Sequence, residues 1–180
     1  MKNEIRISGF GGQGVALAAV ILGKAATLYE DLEAVMTQSY GPEARGGASS
    51  ADVILSDVEI AYPFVEQADI LIALSQEAYN KYRPLAKPDA LVLIDRDLVK
   101  PDDKDQVRAI PATKLAEGLG RRIVTNIVML GFMTVVSGLV KRENMEKALE
   151  ASVKASTIPL NLKAFTTGYE YVPGREEKHE

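Results

Sequence analysis

Apolar runs of strand length alternate with helical patterns through the first half of the chain. Residues 4–8 make a first short apolar strand. Residues 14–29 are helical, with Ala16, Leu17, Val20, Ile21, Ala25 and Leu28 giving a broad apolar face. Residues 33–37 read as a second strand, 39–47 as a loop and 50–55 as a third strand, ended near Ser56 and Asp57. The runs at 70–74 and 91–94 are continuously apolar rather than alternating. That is the pattern of strands covered on both faces in a parallel sheet. Between them Ser75 is placed to cap a short helix over 76–82, ahead of Pro84.

Helices dominate the second half. After a charged turn at 101–105, residues 106–110 read as a short strand before Pro111, and 112–118 as a short helix. Residues 123–141 form one long apolar helix. It contains Gly131 and Gly138, two turns apart on one face, a spacing that suits close packing. A further helix covers 143–154, amphipathic through Met145, Ala148, Leu149 and Val153, and a last one covers 160–169. Strands alternating with helices mean βαβ units. The expected fold is α/β: three α/β/α layers around a mostly parallel or mixed central sheet, with a Rossmann-like first βαβ unit and C-terminal helices. No linker or internal repeat divides the chain. One domain over 1–174 is expected, with a mobile charged tail at 175–180.

Composition narrows the function. The chain has 180 residues, 47% hydrophobic and 26% charged, which is ordinary for a globular domain. A net charge of −4 without a Lys/Arg block argues against a nucleic-acid binder. There is no cysteine, so no thiolate-held iron–sulfur cluster, disulfide or thiol nucleophile belongs to this chain. Met1 leads almost directly into a strand, and no signal peptide is expected. The most apolar stretch, 123–140, is interrupted by Thr125, Asn126, Thr134 and Ser137, which fits a buried helix better than a membrane span. A cytoplasmic protein is the default expectation.

The first candidate for chemistry is the loop after strand one. Gly9, Phe10, Gly11, Gly12, Gln13 and Gly14 include the pattern G-x-G-x-x-G, and a helix follows. Such a loop can cradle a phosphate at a helix N-terminus. A dinucleotide site also wants an acid at the end of strand two to hold the ribose. Here that end is Thr37-Gln38, while Glu33 stands at the wrong end. Two other readings remain open: a tight β-to-α turn with a purely structural role, and a surface another subunit approaches closely. Gln13 would offer that subunit a donor and an acceptor.

The second candidate is the loop after strand two, with Ser39, Tyr40, Gly41, Pro42, Glu43, Arg45, Gly46 and Gly47. In a parallel sheet it shares the C-terminal edge with the glycine loop, where open α/β sheets place ligands. A turn holding an aromatic and a guanidinium suits an interface or an anion site. A solvated surface loop is the alternative. Asn126 is a secondary candidate, although a capping or buried hydrogen-bonding role accounts for it. Asp95, at a strand's C-terminal end, reads as a turn-stabilising residue. His179 is the only histidine and lies in the tail, so neither a metal nor an acid–base role is assigned to it.

Taken together, these motifs resemble a known family. Gly9-Phe-Gly-Gly-Gln-Gly-Val15, Thr37-Gln-Ser-Tyr-Gly-Pro-Glu-Ala-Arg-Gly-Gly47, Ser56-Asp57, Ile60-Ala-Tyr-Pro63 and Ala73-Leu-Ser-Gln-Glu-Ala-Tyr79 are similar to the gamma subunit of 2-oxoacid:ferredoxin oxidoreductases. The details look most like the 2-oxoglutarate branch. The resemblance implies a subunit of an enzyme that oxidatively decarboxylates a 2-oxoacid to an acyl-coenzyme A and passes electrons to ferredoxin. Thiamine diphosphate, Mg2+, an iron–sulfur cluster and coenzyme A are then expected in the whole complex, with none bound by this chain alone. The implied partners are alpha and beta subunits and a ferredoxin-like delta subunit. No catalytic residue falls on this chain. The two glycine-containing loops would face the partners near the approach of coenzyme A, with Tyr40 as an anchor and Arg45 on an anion or a carboxylate. An isolated chain with such a surface is free to form a homodimer.

Overall fold

The structure is a computed structural model, and it describes residues 1–39 and 47–173. Six strands make one mixed sheet: β1 (Lys2–Phe10), β2 (Glu33–Ser39), β3 (Ala48–Ser56), β4 (Ala68–Ala73), β5 (Ala86–Asp95) and β6 (Val107–Ile110). The order is β2-β3-β1-β4-β5-β6. The half from β1 to β6 is parallel, as the continuous apolar runs predict. In β4, alternate residues serve two cores. Ile70 and Ile72 face one, Leu71 and Ala73 the other. A strand buried on both faces has no room for polar alternation.

The other half departs from a Rossmann unit. β3 runs antiparallel to both neighbours and separates β2 from β1. β1 and β2 still point the same way, so Phe10 and Ser39 end at one edge of the sheet. They are not adjacent strands of a βαβ unit.

Helix α1 (Val15–Tyr29) crosses from β1 to β2 on one face. Its buried Ala18, Ala19, Ala25 and Ala26 let it lie close to the sheet. The same face carries α3 (Ala112–Gly118), α4 (Thr125–Ser137), α5 (Arg142–Glu150) and α6 (Ile158–Tyr169). The opposite face is covered by α2 (Gln76–Tyr82), through Ala78, Tyr79 and Tyr82. Ser75 caps α2 by accepting a hydrogen bond from the Ala78 N–H at 3.2 Å. The three layers are therefore present but unequal.

The long C-terminal helix is shorter than its sequence suggests. Gly138 adopts φ 63° and ends α4 as a left-handed C-cap. It makes no close packing, since a Cβ there would meet nothing within 4 Å. α5 then runs from Arg142 to Glu150 rather than to residue 154. Gly131 does pack as expected. A Cβ there would lie 2.1 Å from the Phe165 carbonyl oxygen, and one on Gly168 would lie 1.8 Å from that of Val128. The backbones of α4 and α6 thus touch through two glycines. Asp95 is fully buried and serves the turns after β5. One oxygen accepts from the Asp97 N–H, the other from the Thr113 N–H at 2.9 Å and its hydroxyl at 2.6 Å.

Candidate functional site

The glycine loop begins inside the sheet. Gly9 and Phe10 are still paired with Ser49 and Ala48 of β3. The Gln13 N–H closes the turn on the Phe10 carbonyl at 3.1 Å. The Gln13 side chain then folds back. Its Oε1 accepts from the Phe10 N–H at 2.6 Å, and its Nε2 donates to the Leu74 carbonyl at 3.1 Å. A Cβ on Gly9 would lie 2.5 Å from that Oε1, so glycine at this position makes room for the amide.

This geometry bears on the ligand question. β1 leads to α1 on one face and β4 leads to α2 on the other, so the crevice between the ends of β1 and β4 is the topological switch point. Gln13 bridges that crevice with both ends of its amide. One donor and one acceptor of the Gln13 amide are thus used within the chain, which leaves its second N–H and second lone pair for a partner. The ends of β1 and β4 are thereby tied together by one side chain.

Gly12 and Gly14 have φ of 90° and 72°, conformations that L-residues avoid. Gly14 is the N-cap of α1, without a capping side chain. Its carbonyl accepts the first helical bond from Ala18 and a second from Asn126 Nδ2 at 3.0 Å. Asn126 is 3% exposed and occupies the space a Cβ on Gly14 would need, 2.4 Å away. Its Oδ1 has no hydrogen-bond partner among the described residues. The plain hydrogen-bonding role expected of Asn126 is therefore correct in kind. Its partner is the glycine loop itself, more than 100 residues earlier in the chain.

Above this scaffold Gly11 and Gly12 stand open, with nothing within 4 Å of a Cβ built on either. Phe10 is 41% exposed beside them. Clefts flank the ridge. One of about 490 Å³ runs from Gly12 and Gly14 past Arg121 and Ile123 to Lys154 and Leu160. A second of about 330 Å³ lies between Gly11–Gln13 and Arg122–Thr125. A third of about 250 Å³ reaches Gln38, Ser49 and Ser50. Ser39 ends β2, exposed, and Gly47 immediately precedes β3. Tyr40, Gly41, Pro42, Glu43, Arg45 and Gly46 lie outside the described residues.

Sequence reasoning missed the second wall of this site. Ile123 was read into the buried helix, yet it is 72% exposed, in a 3-10 turn before α4. The signal was the Arg121-Arg122 pair directly ahead of it, which ends the apolar pattern too early for Ile123 to face a core. A second omission lies deeper. Arg6 and Asp52, opposite each other on β1 and β3, form a buried two-pronged ion pair at 2.8 and 2.6 Å, and the guanidinium sits 5.3 Å from the Tyr82 ring centre.

The chain has no cysteine for a cluster. Among the described residues no group of three His, Asp or Glu side chains comes together to hold a metal ion. No helix of the described residues is long and apolar enough to cross a membrane.

The chain is 53% identical over 175 residues to the 2-oxoglutarate synthase subunit KorC of Methanocaldococcus jannaschii, covering 94% of each. The gamma subunit of a keto/oxoacid ferredoxin oxidoreductase from Geobacter sulfurreducens shares 44% identity, with a TM-score of 0.87 over 94% of this chain and 95% of that one. The 2-oxoglutarate:ferredoxin oxidoreductase of Magnetococcus marinus shares the fold at 22% identity and a TM-score of 0.79, over 93% of this chain and 30% of that longer one. The family model for pyruvate ferredoxin/flavodoxin oxidoreductase matches residues 4–171, and the chain belongs to that family.

Proposed function

We propose that this chain is the gamma subunit of a 2-oxoglutarate:ferredoxin oxidoreductase. The enzyme decarboxylates 2-oxoglutarate oxidatively, joins the succinyl group to coenzyme A and passes two electrons to ferredoxin. The observation that carries the reading is the end-to-end 53% identity to a protein named for 2-oxoglutarate. In this reading thiamine diphosphate, Mg2+ and the iron–sulfur cluster reside on alpha, beta and delta partners, because this chain has no thiolates and its described residues bring no group of three metal-binding side chains together.

The chain's own contribution is a surface. The open backbone of Gly11 and Gly12, with Phe10 and Ile123 beside it, makes a low ridge that another chain can approach closely. Tyr40, Glu43 and Arg45, which follow β2 in the sequence, are proposed as further contacts to the same partners. Gln13 and Asn126 hold the ridge in shape from beneath through their hydrogen bonds to Phe10, Leu74 and Gly14. Packed against the thiamine-binding subunits, this edge closes one side of the reaction chamber near the approach of coenzyme A.

The test is reconstitution from separately produced subunits, followed by dye reduction dependent on a 2-oxoacid and coenzyme A. The full set is expected to turn over 2-oxoglutarate in preference to pyruvate, and omission of this chain is expected to abolish the coenzyme A-dependent rate. Preference for pyruvate would refute the substrate, and full activity without this chain would refute the role.

A further inference from the structure

The segment between β3 and β4, residues 57–67, is tied down yet displays aromatic rings to solvent. Its backbone is held at several points. The Val58 N–H donates to Ser56 Oγ, the Ile60 N–H to Glu33 and the Glu66 N–H to Glu4, while the Val65 carbonyl accepts from Arg6. Val65 is buried, and Ile60 packs against the same core. Against this fixed frame Tyr62 is 53% exposed and Phe64 55% exposed. Their rings meet edge to face at 5.5 Å, with Pro63 between them. Proline fixes one backbone angle, and residues two apart in an extended chain project to the same side. The pair is therefore presented in one arrangement before any partner arrives.

Rigid, exposed aromatics on an ordered frame have the character of interface anchors. The charge around them selects the partner. Residues 57–67 contain Asp57, Glu59 and Glu66 and no Lys or Arg. Nearby Lys2 and Lys87 are engaged with Glu4 and Asp69. A second copy of this chain docked patch to patch would bring carboxylates together.

We infer that Tyr62 and Phe64 anchor a second protein interface, fitting an apolar pocket rimmed by Lys and Arg on another subunit of the same enzyme. This rests on the chain being an assembly subunit, as proposed above. The interface is separate from the glycine ridge. Lys2 pairs with Ser56 where the segment leaves the sheet, whereas Phe10 pairs with Ala48 at the opposite end of β1. The chain thus holds partners at both edges of its sheet.

The experiment uses the reconstituted complex and two variants, Tyr62→Ser/Phe64→Ser and Glu59→Lys/Glu66→Lys. Both isolated variants are expected to melt within about 2 °C of the parent, since the changed side chains are surface groups. The aromatic variant is expected to bind the complex at least about 30-fold more weakly, the fold-change of an interface hot spot. The charge variant is expected to associate more slowly, with the deficit shrinking as salt rises. Parental affinity for both variants overturns the inference, as does an isolated chain that dimerises through Tyr62 and Phe64. If the unaltered chain finds no partners at all, it is the proposed function that fails, which separates the two outcomes.

Discussion

Arg6 and Asp52 are the clearest single-residue commitment outside the glycine ridge. Their side chains are 9% and 12% exposed, and the guanidinium also donates to the Val65 carbonyl at 3.2 Å. Taking two charges out of water costs several kcal/mol each, which the pair's own attraction offsets only when both members are present. Asp52→Ala leaves a buried cation alone and is expected to lower the unfolding free energy by about 3–5 kcal/mol. The double change Arg6→Met/Asp52→Leu is expected to recover most of that loss, because similar volume is kept without charge. Denaturant melts of the isolated chain would measure both. Equal losses in the single and double variants would show that packing rather than charge decides this site. Nothing in the sequence marked the pair. Arg6 stands between Ile5 and Ile7 in a strand, and its partner lies 46 residues away, a pairing fixed only once β3 is known to run antiparallel beside β1.

The contact of α4 with α6 depends on two glycines for the same geometric reason. Gly168→Ala would drive a methyl group against the Val128 carbonyl, and backbone cannot swing aside as a side chain can. A loss of about 3 kcal/mol or more is expected, which lowers the melting temperature by about 6–12 °C for a chain of this size. Gly118→Ala, at the end of α3 with open space around it, is expected to be neutral or slightly stabilising. Equal melting temperatures for the two variants would exclude close backbone packing. A second element-level link joins α2 to the connection between β5 and β6. The Tyr79 hydroxyl donates to Asp105, which also receives two bonds from Arg83 at 2.8 and 3.0 Å. Burial pushes the Tyr79 phenol up, and its bond to Asp105 pushes it further. Burial acts to raise Asp105, but the Arg83 and Tyr79 bonds prevail and hold its carboxyl below the usual range. The signs give opposite limbs. The Asp105 contribution is present above about pH 4 and is lost as pH falls through its lowered pKa. The Tyr79 contribution is complete below about pH 10 and is lost as pH rises through its raised pKa. Hydrogen exchange across residues 100–106 should therefore accelerate at both extremes, and Tyr79→Phe should remove the alkaline limb while keeping the acid one. These elements were largely legible beforehand. The spans of α2 and α3 match the pattern of apolar spacing and capping residues. What the pattern could not supply was strand direction, since an apolar run reads the same in either sense. Nor could it supply the end of α4, where Gly138 acts through its backbone angle rather than through packing.

At the level of the whole molecule, the glycine ridge and the Tyr62–Phe64 pair sit at opposite edges of one sheet. They are separated by the nine residues of β1, about 26 Å at the rise of an extended strand. Ile123 is the exposed apolar group of the ridge that lies outside the glycine pattern, which makes it the cleanest probe of that edge. Ile123→Asp is expected to change the isolated chain's stability by no more than about 0.5 kcal/mol. It is also expected to weaken assembly by a hot-spot amount, about 2 kcal/mol, because it puts a charge on the apolar surface proposed to meet a partner. Combined with Tyr62→Ser/Phe64→Ser, the losses should add to within about 0.5 kcal/mol, as they do for sites that share no contacts. Each edge then grips its own partner surface, and the sheet between them serves as a rigid spacer. A combined loss well short of the sum would mean instead that freeing one edge lets the other go, so that the two contacts form only together. Titration of the reconstituted complex with the parent, the Ile123 variant, the aromatic variant and the combined variant supplies the four affinities needed. The same series read by 2-oxoacid turnover separates the edges by role. The ridge variant should reduce the coenzyme A-dependent rate even at saturating chain. The aromatic variant should approach the parental rate once enough chain is added to restore occupancy.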